Sequence, residues 1–253
     1  MGLDVYVGPL IRYYSFEWET ILQQAGRSQG LEVQIMRPPG FQKPDPQDVV
    51  EGVATWRKAL GDSIGVPMRW DESLTGAYET DKLDWDGYHA VRYLALHEEF
   101  PDLPTPAGIS RRDLGALDSE PLERQFGEVY VPRSPSRVGR LLGRKPPEPA
   151  TVPRYLNIQT PEMWLPVAFD GVLRGESPAG NDVTIGSVAG LLMELERVND
   201  HTVRLDQPAM DAAVQAGPPE GGEFDPLSRF GLAVFLSLAR TAHARSQPMI
   251  LDY

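Results

Sequence analysis

Leu3-Asp4-Val5-Tyr6-Val7-Gly8-Pro9, close to the start of the chain, decides the fold class. Its first five residues alternate and are β-prone, the pattern of a strand with two different faces, and Gly8-Pro9 ends it. Ser15 then stands where a helix N-cap would, with Phe16, Trp18, Ile21, Leu22 and Ala25 forming an apolar face toward about Gly30. Leu31-Glu32-Val33-Gln34-Ile35 alternates again before Arg37-Pro38-Pro39-Gly40 stops it. Strand, helix and strand in quick succession suggest a crossover unit, which favours a parallel strand pair.

Working outward, Asp45-Pro46 opens a second helix by the N-cap and first-turn proline rule, with Val49, Val53, Trp56 and Leu60 at helical spacing and Gly61 as its stop. Residues 62–84 are polar and turn-rich. A strong helix is expected from Asp86 to Phe100, with Tyr88, Val91, Leu94 and Ala95 inward and Pro101 as terminator. Prolines recur through 101–153 and periodicity fades, so about 103–153 reads as an irregular loop or insertion. A second β-prone region covers Tyr155 to Ile158, Trp164 to Phe169 and Val183 to Ile185, with 155–169 a possible hairpin and Asn181-Asp182 a turn. Ser187 caps an expected helix to Asn199, and another runs from Gln207 to Ala216. Pro226 to Arg245 is apolar on nearly every side and therefore belongs in the centre. Met249-Ile250-Leu251 closes as a short strand. The expected fold is mixed α and β: one domain over 1–253 with a single sheet covered by helices.

Composition narrows the function classes. The chain has 253 residues, enough for a large core, with 41% hydrophobic and 24% charged residues. With no cysteine it has no disulfide framework, thiolate nucleophile or cysteine-ligated metal. The first residues lack a basic, then apolar, leader pattern, and no apolar stretch approaches the roughly 20 residues of a membrane span, so a cytoplasmic location is expected. A net charge of −12 disfavours nucleic acid and anionic membranes.

Signatures for nucleotide, metal or acyl-transfer chemistry are missing, and no cofactor is expected. The turn Gly8-Pro9-Leu10-Ile11-Arg12-Tyr13-Tyr14 has one glycine followed by bulky side chains, which would keep a pyrophosphate away from the backbone. Three features remain. On the helix from Asp86, residues Asp86, His89 and Arg92 share one side, so Asp86 and His89 are a candidate acid–base pair; the plainer reading makes Asp86 an N-cap and His89 a half-exposed polar residue. From Trp70 to Asp102, nine carboxylates stand against Lys82 and Arg92 with aromatic residues interleaved. Within that stretch Trp70, Asp71, Glu72, Tyr78, Asp81, Trp85 and Asp86 form a candidate binding face for a cationic or sugar-like ligand or a basic protein surface, unless the acids are merely solvated and the rings core. Finally, Arg133, Arg137, Arg140 and Arg144, followed by Lys145, form a basic run without an intervening acid, suited to an anion or RNA, or to docking on acidic protein surface.

Met1-Gly2-Leu3-Asp4-Val5-Tyr6-Val7-Gly8, Trp70-Asp71-Glu72-Ser73, Ala179 to Ser187 and Pro248-Met249-Ile250-Leu251-Asp252-Tyr253 together resemble uncharacterised proteins of GC-rich bacteria. Only four of the 24 basic residues are lysine, a bias that fits such an origin. No activity or catalytic residue comes with the resemblance. From the residues, the leading expectation is an acidic binding protein, such as an inhibitor or immunity-type protein, with a basic protein as partner. A small-molecule hydrolase using Asp86 and His89 or a carboxylate pair, and an anion or RNA binder using the arginine run, are the alternatives.

Overall fold

The computed structural model describes residues 2–33, 40, 42–103, 153–220 and 223–253, and places their strands in one mixed six-stranded sheet. The strands are β1 (Asp4–Val7), β2 (Glu79–Lys82), β3 (Met163–Leu165), β4 (Leu173–Glu176), β5 (Asp182–Ser187) and β6 (Met249–Asp252), in the spatial order β2-β1-β6-β3-β5-β4. Only β3 and β5 are parallel; every other neighbouring pair is antiparallel. The expected mixed α and β class with a single helix-covered sheet is therefore what the chain forms.

Alternation along the strands sends side chains to two cores. Val5, Val7, Trp164, Met249 and Leu251 face a large cluster with α4 (Trp85–Glu99), α6 (Val188–His201), α7 (Gln207–Ala216) and α8 (Phe224–Arg245). Met163, Leu165, Ile185 and Ile250 face the other way, toward α1 (Leu10–Tyr14) and α3 (Pro46–Ile64). Helix α8 is central, as its apolar circumference requires: from Phe230 to Phe235 every residue is buried. Helix α4 is buried continuously from Gly87 to Leu96, and that burial includes His89 and Arg92.

Several local expectations give way to packing. The first helix does not start at Ser15. Chain reversal at Phe16 (φ 55°) ends α1, and Thr20 begins α2 (Ile21–Ser28) through a reciprocal capping box with Gln23. Residues 31–33 form no strand, while 34 and 35 lie outside the described residues, and β1 pairs antiparallel with both β2 and β6. The N-terminal parallel crossover is thus replaced by an antiparallel centre. Helix α3 is capped by Asp45, as expected, but runs past Gly61 to Gly65, whose φ of 70° supplies the left-handed turn that ends it. Tyr155 to Ile158 is not extended: Leu156–Gln159 is a short helix, α5, because Glu194 accepts hydrogen bonds from the N–H groups of Asn157 (3.1 Å) and Ile158 (3.0 Å). The hairpin lies later, between β4 and β5. β2 falls inside the stretch read as turns; its sequence Glu-Thr-Asp-Lys is polar because it is an edge strand. Most of the irregular segment proposed at 103–153 lies outside the described residues.

A candidate acidic and aromatic corner

Strand pairing gathers a row of charges at one end of the sheet. Asp4 on β1 stands directly between Lys82 on β2 and Asp252 on β6. Paired residues on adjacent antiparallel strands share a face, with Cα atoms about 4.5–5.5 Å apart. Asp81 and Asp84 lie close enough to act on the same carboxyl group. Burial, with contributions from Asp252, Asp81 and Asp84, raises the Asp4 pKa to about 6 despite the opposing charge of Lys82. Asp4 Oδ1 is buried without a hydrogen-bond partner, whereas Asp252 Oδ1 accepts a bond from Tyr13 Oη at 2.7 Å.

Aromatic rings line the approach on both sides of this row. On the α1 face, Tyr13, whose hydroxyl reaches Asp252, is stacked on Trp18 (5.7 Å between centroids) and tilted against Tyr6 (5.2 Å), from which the stacked Tyr78 (5.8 Å) leads away to the other end of the strands. At the start of α4, Trp85 meets Tyr253 edge-on at 5.1 Å and stacks on His89 at 5.7 Å. The Tyr253 ring is 63% exposed and its hydroxyl donates to Glu162. Asp84 caps α4 and Asp86 sits in its first turn, where the positive end of the helix favours carboxylates. The N-cap is therefore Asp84 rather than Asp86.

The candidate face splits in two. Asp81 and Trp85 are at the corner, and Asp86 follows Trp85 in the first turn of α4. Trp70, Glu72 and Tyr78 are at the opposite end of the four-residue strands, with structural partners. Glu72 accepts from Ile11 N–H (2.9 Å) and from the Trp70 indole, so it caps α1 from outside the helix. Arg57 lies over the Trp70 ring at 4.2 Å, and Arg12 lies over Tyr78 at 4.2 Å. Asp71 is exposed there, and its carbonyl accepts from Gln247. The charge of this second group is offset by arginines; that of the corner is opposed by Lys82.

The Asp86–His89 dyad is not formed. His89 is 4% exposed, its Nδ1 has no hydrogen-bond partner, and burial together with the Arg92 charge lowers its pKa to about 4. A carboxylate orienting Nδ1 would do the reverse. Arg133, Arg137, Arg140 and Arg144 lie outside the described residues. Among the described residues no cluster of three or more metal-ligating side chains occurs, and no helix is long and apolar enough to cross a membrane.

Asp4, Tyr13 and Asp252 escaped the sequence reading because they come from opposite ends of the chain. The available signal was alternation: Asp4 and Tyr6 share one face of β1, and Asp252 continues the face set by Ile250 on β6. His201, assigned no role from sequence, binds Glu98 at 2.7 Å; Glu98 also accepts from Tyr155 and Arg154 and so ties the ends of α4 and α6 together. No family model, curated protein or solved structure matches this chain.

The Asp4 environment has a consequence for stability. Its folded pKa of about 6 exceeds the ordinary 3.8, so its contribution is full below pH 3.8 and is lost as pH rises through 6. Asp4→Asn removes the buried charge. Its melting temperature is expected to exceed that of the wild type by a few degrees at pH 8 and to match it at pH 4, as read by thermal unfolding at the two pH values.

Proposed function

We propose that this protein is a binding protein whose acidic and aromatic corner receives a basic side chain or basic surface of a protein partner, the arrangement of an inhibitor or immunity-type protein. The observation that carries the reading is the Lys82–Asp4–Asp252 row with Asp81 and Asp84 beside it, next to exposed Tyr253 and half-buried Trp85. Tyrosine and tryptophan are suited to interface anchoring, and carboxylates around them steer a cationic partner and fix its register. A net charge of −12 adds long-range attraction for such a partner.

Binding of a fluorescent hexa-arginine peptide, followed by anisotropy at several salt concentrations, tests the corner. The triple variant Asp4→Asn, Asp81→Asn, Asp252→Asn should weaken binding about tenfold or more at low salt, equivalent to about 1.4 kcal/mol. A variant of equal charge change on α3 (Asp48→Asn, Glu51→Gln, Asp62→Asn) should weaken it much less. Equal losses in both variants would reduce the effect to net charge and remove the corner from the argument.

A further inference from the structure

Among the described residues, Glu194 is the one fully buried acid, and it lies outside the corner. It sits on α6, 6% exposed, and its carboxylate takes three donors: Asn157 N–H (3.1 Å) and Asn157 Nδ2 (2.8 Å) on Oε1, and Ile158 N–H (3.0 Å) on Oε2. A carboxylate oxygen can accept two bonds, so Oε2 retains one acceptor position. Glu194 also lines an open cavity of about 510 Å³ beside the first turns of α6. The same cavity is walled by Leu156, Phe169 and Met193, and carries a second carboxylate, Asp170, on the loop after β3. No arginine or lysine lines it among the described residues.

This combination has a definite chemical preference. A concave site of a few hundred cubic ångströms, apolar in its walls with a few convergent polar groups, is the usual form of a small-molecule site. Two carboxylates, one of them held rigidly, favour a cation at the polar end. The N-terminus of α6 also borders the cavity and would favour an anion, but two of the N–H groups there are engaged, and the full charges of two carboxylates outweigh the partial charge of a helix end. Ser187 N–H is bonded to Asn157 Oδ1 at 3.0 Å, and Gly190 N–H to Ser187 Oγ at 3.4 Å. We infer that the cavity between α5, α6 and the loop after β3 binds a small primary amine with a short apolar or aromatic body, its ammonium group against Glu194 and Asp170 and its body on Phe169 and Met193.

Burial raises the Glu194 pKa to about 7, outweighing the three hydrogen bonds that lower it. An ammonium group at Oε2 stabilises the ionised form, so binding near pH 7 releases a proton. Calorimetric titration of the full chain with phenethylamine, repeated in buffers of different ionisation enthalpy, reads affinity and proton release together. The amine is expected to bind at pH 7.5 at least tenfold more tightly than 2-phenylethanol, with a buffer-dependent heat. Glu194→Gln should lower amine affinity at least tenfold and abolish the buffer dependence, while leaving the weak alcohol binding unchanged. Should that variant fail to fold, Asp170→Asn on the exposed loop takes its place, with an expected loss of about threefold or more. Absence of amine binding, equal affinity for amine and alcohol, or affinity unaffected by whichever variant folds would overturn the assignment. None of these outcomes bears on the strand-end corner, whose test uses different residues and a different probe.

Discussion

Gly231→Ala is expected to be the most damaging glycine-to-alanine change among the described residues. Helices α4 and α8 cross where Gly87 meets Gly231, and a Cβ on Gly231 would overlap the Gly87 carbonyl oxygen and lie 2.7 Å from the carbonyl carbon. The obstruction is backbone, so no side-chain rotation relieves it. Alanine ordinarily favours a helix over glycine by about 1 kcal/mol. Here two helices with long buried stretches must separate, and with them the packing of α8 on β1, β2 and β6. A loss of about 3–5 kcal/mol is expected, at the upper end of overpacking effects. Gly87→Ala provides the comparison: its Cβ would approach Gly231 Cα only to 3.3 Å, so a cost of about 1–2 kcal/mol is expected. Urea unfolding of the two variants checks the order. Equal stability of Gly231→Ala and the wild type would mean that the crossing is looser than this geometry.

The second large effect concerns pH and two of the buried titratable residues, Glu194 and His89. The folded pKa of Glu194, about 7, lies above its ordinary 4.5, so its stabilisation is complete below pH 4.5 and is lost as pH rises through 7. His89 behaves oppositely: with a folded pKa of about 4 against an ordinary 6.5, its contribution is present above pH 6.5 and is lost as pH falls through 4. Each shift corresponds to about 3 kcal/mol across its window. Between pH 4.5 and 6.5 the two nearly cancel in the wild type, and variants separate them. Glu194→Gln exchanges one good acceptor for an amide that faces N–H donors, so it should melt below the wild type at pH 5. By pH 8.5 the wild type has lost its contribution, and the difference in melting temperature should move in favour of the variant by roughly 6–12 °C. His89→Phe keeps a ring against Trp85 and removes the acid-side loss, so its advantage should grow as pH falls from 6.5 to 4. Melting curves of both variants that run parallel to the wild type at every pH would show that neither group titrates with a shifted pKa.

Where sequence reading succeeded, the information was local. Asp45-Pro46 and Ser187 start helices because a side-chain oxygen reaches backbone N–H groups two or three residues ahead, with no help from the rest of the chain. The all-round apolar pattern of 230–236 requires burial on every side, and α8 has it. Where it missed, the cause was a distant partner. β2 is four polar residues whose extended form comes from hydrogen bonds to β1 rather than from their own preference. Residues 156–159 are helical because Glu194, on another helix, satisfies their N–H groups.

The candidate sites divide along the same line. Sequence identified an excess of carboxylates and rings between 70 and 86, and two of those residues, Asp81 and Trp85, stand beside the Asp4 row and Tyr253. It could not separate them from Glu72 and Trp70, which α1 and Arg57 claim at the other end of the strands. Nor could it bring Asp4 next to Asp252, since those residues meet only once β1 and β6 pair at the centre of the sheet. By itself, then, the sequence determined the fold class, most helix starts and the acidic character, because short-range hydrogen bonding and hydrophobic period are written in consecutive residues. The tertiary structure alone decided strand order, the burial of His89 and Glu194 and the composition of both sites, because each depends on contacts between residues far apart in the chain.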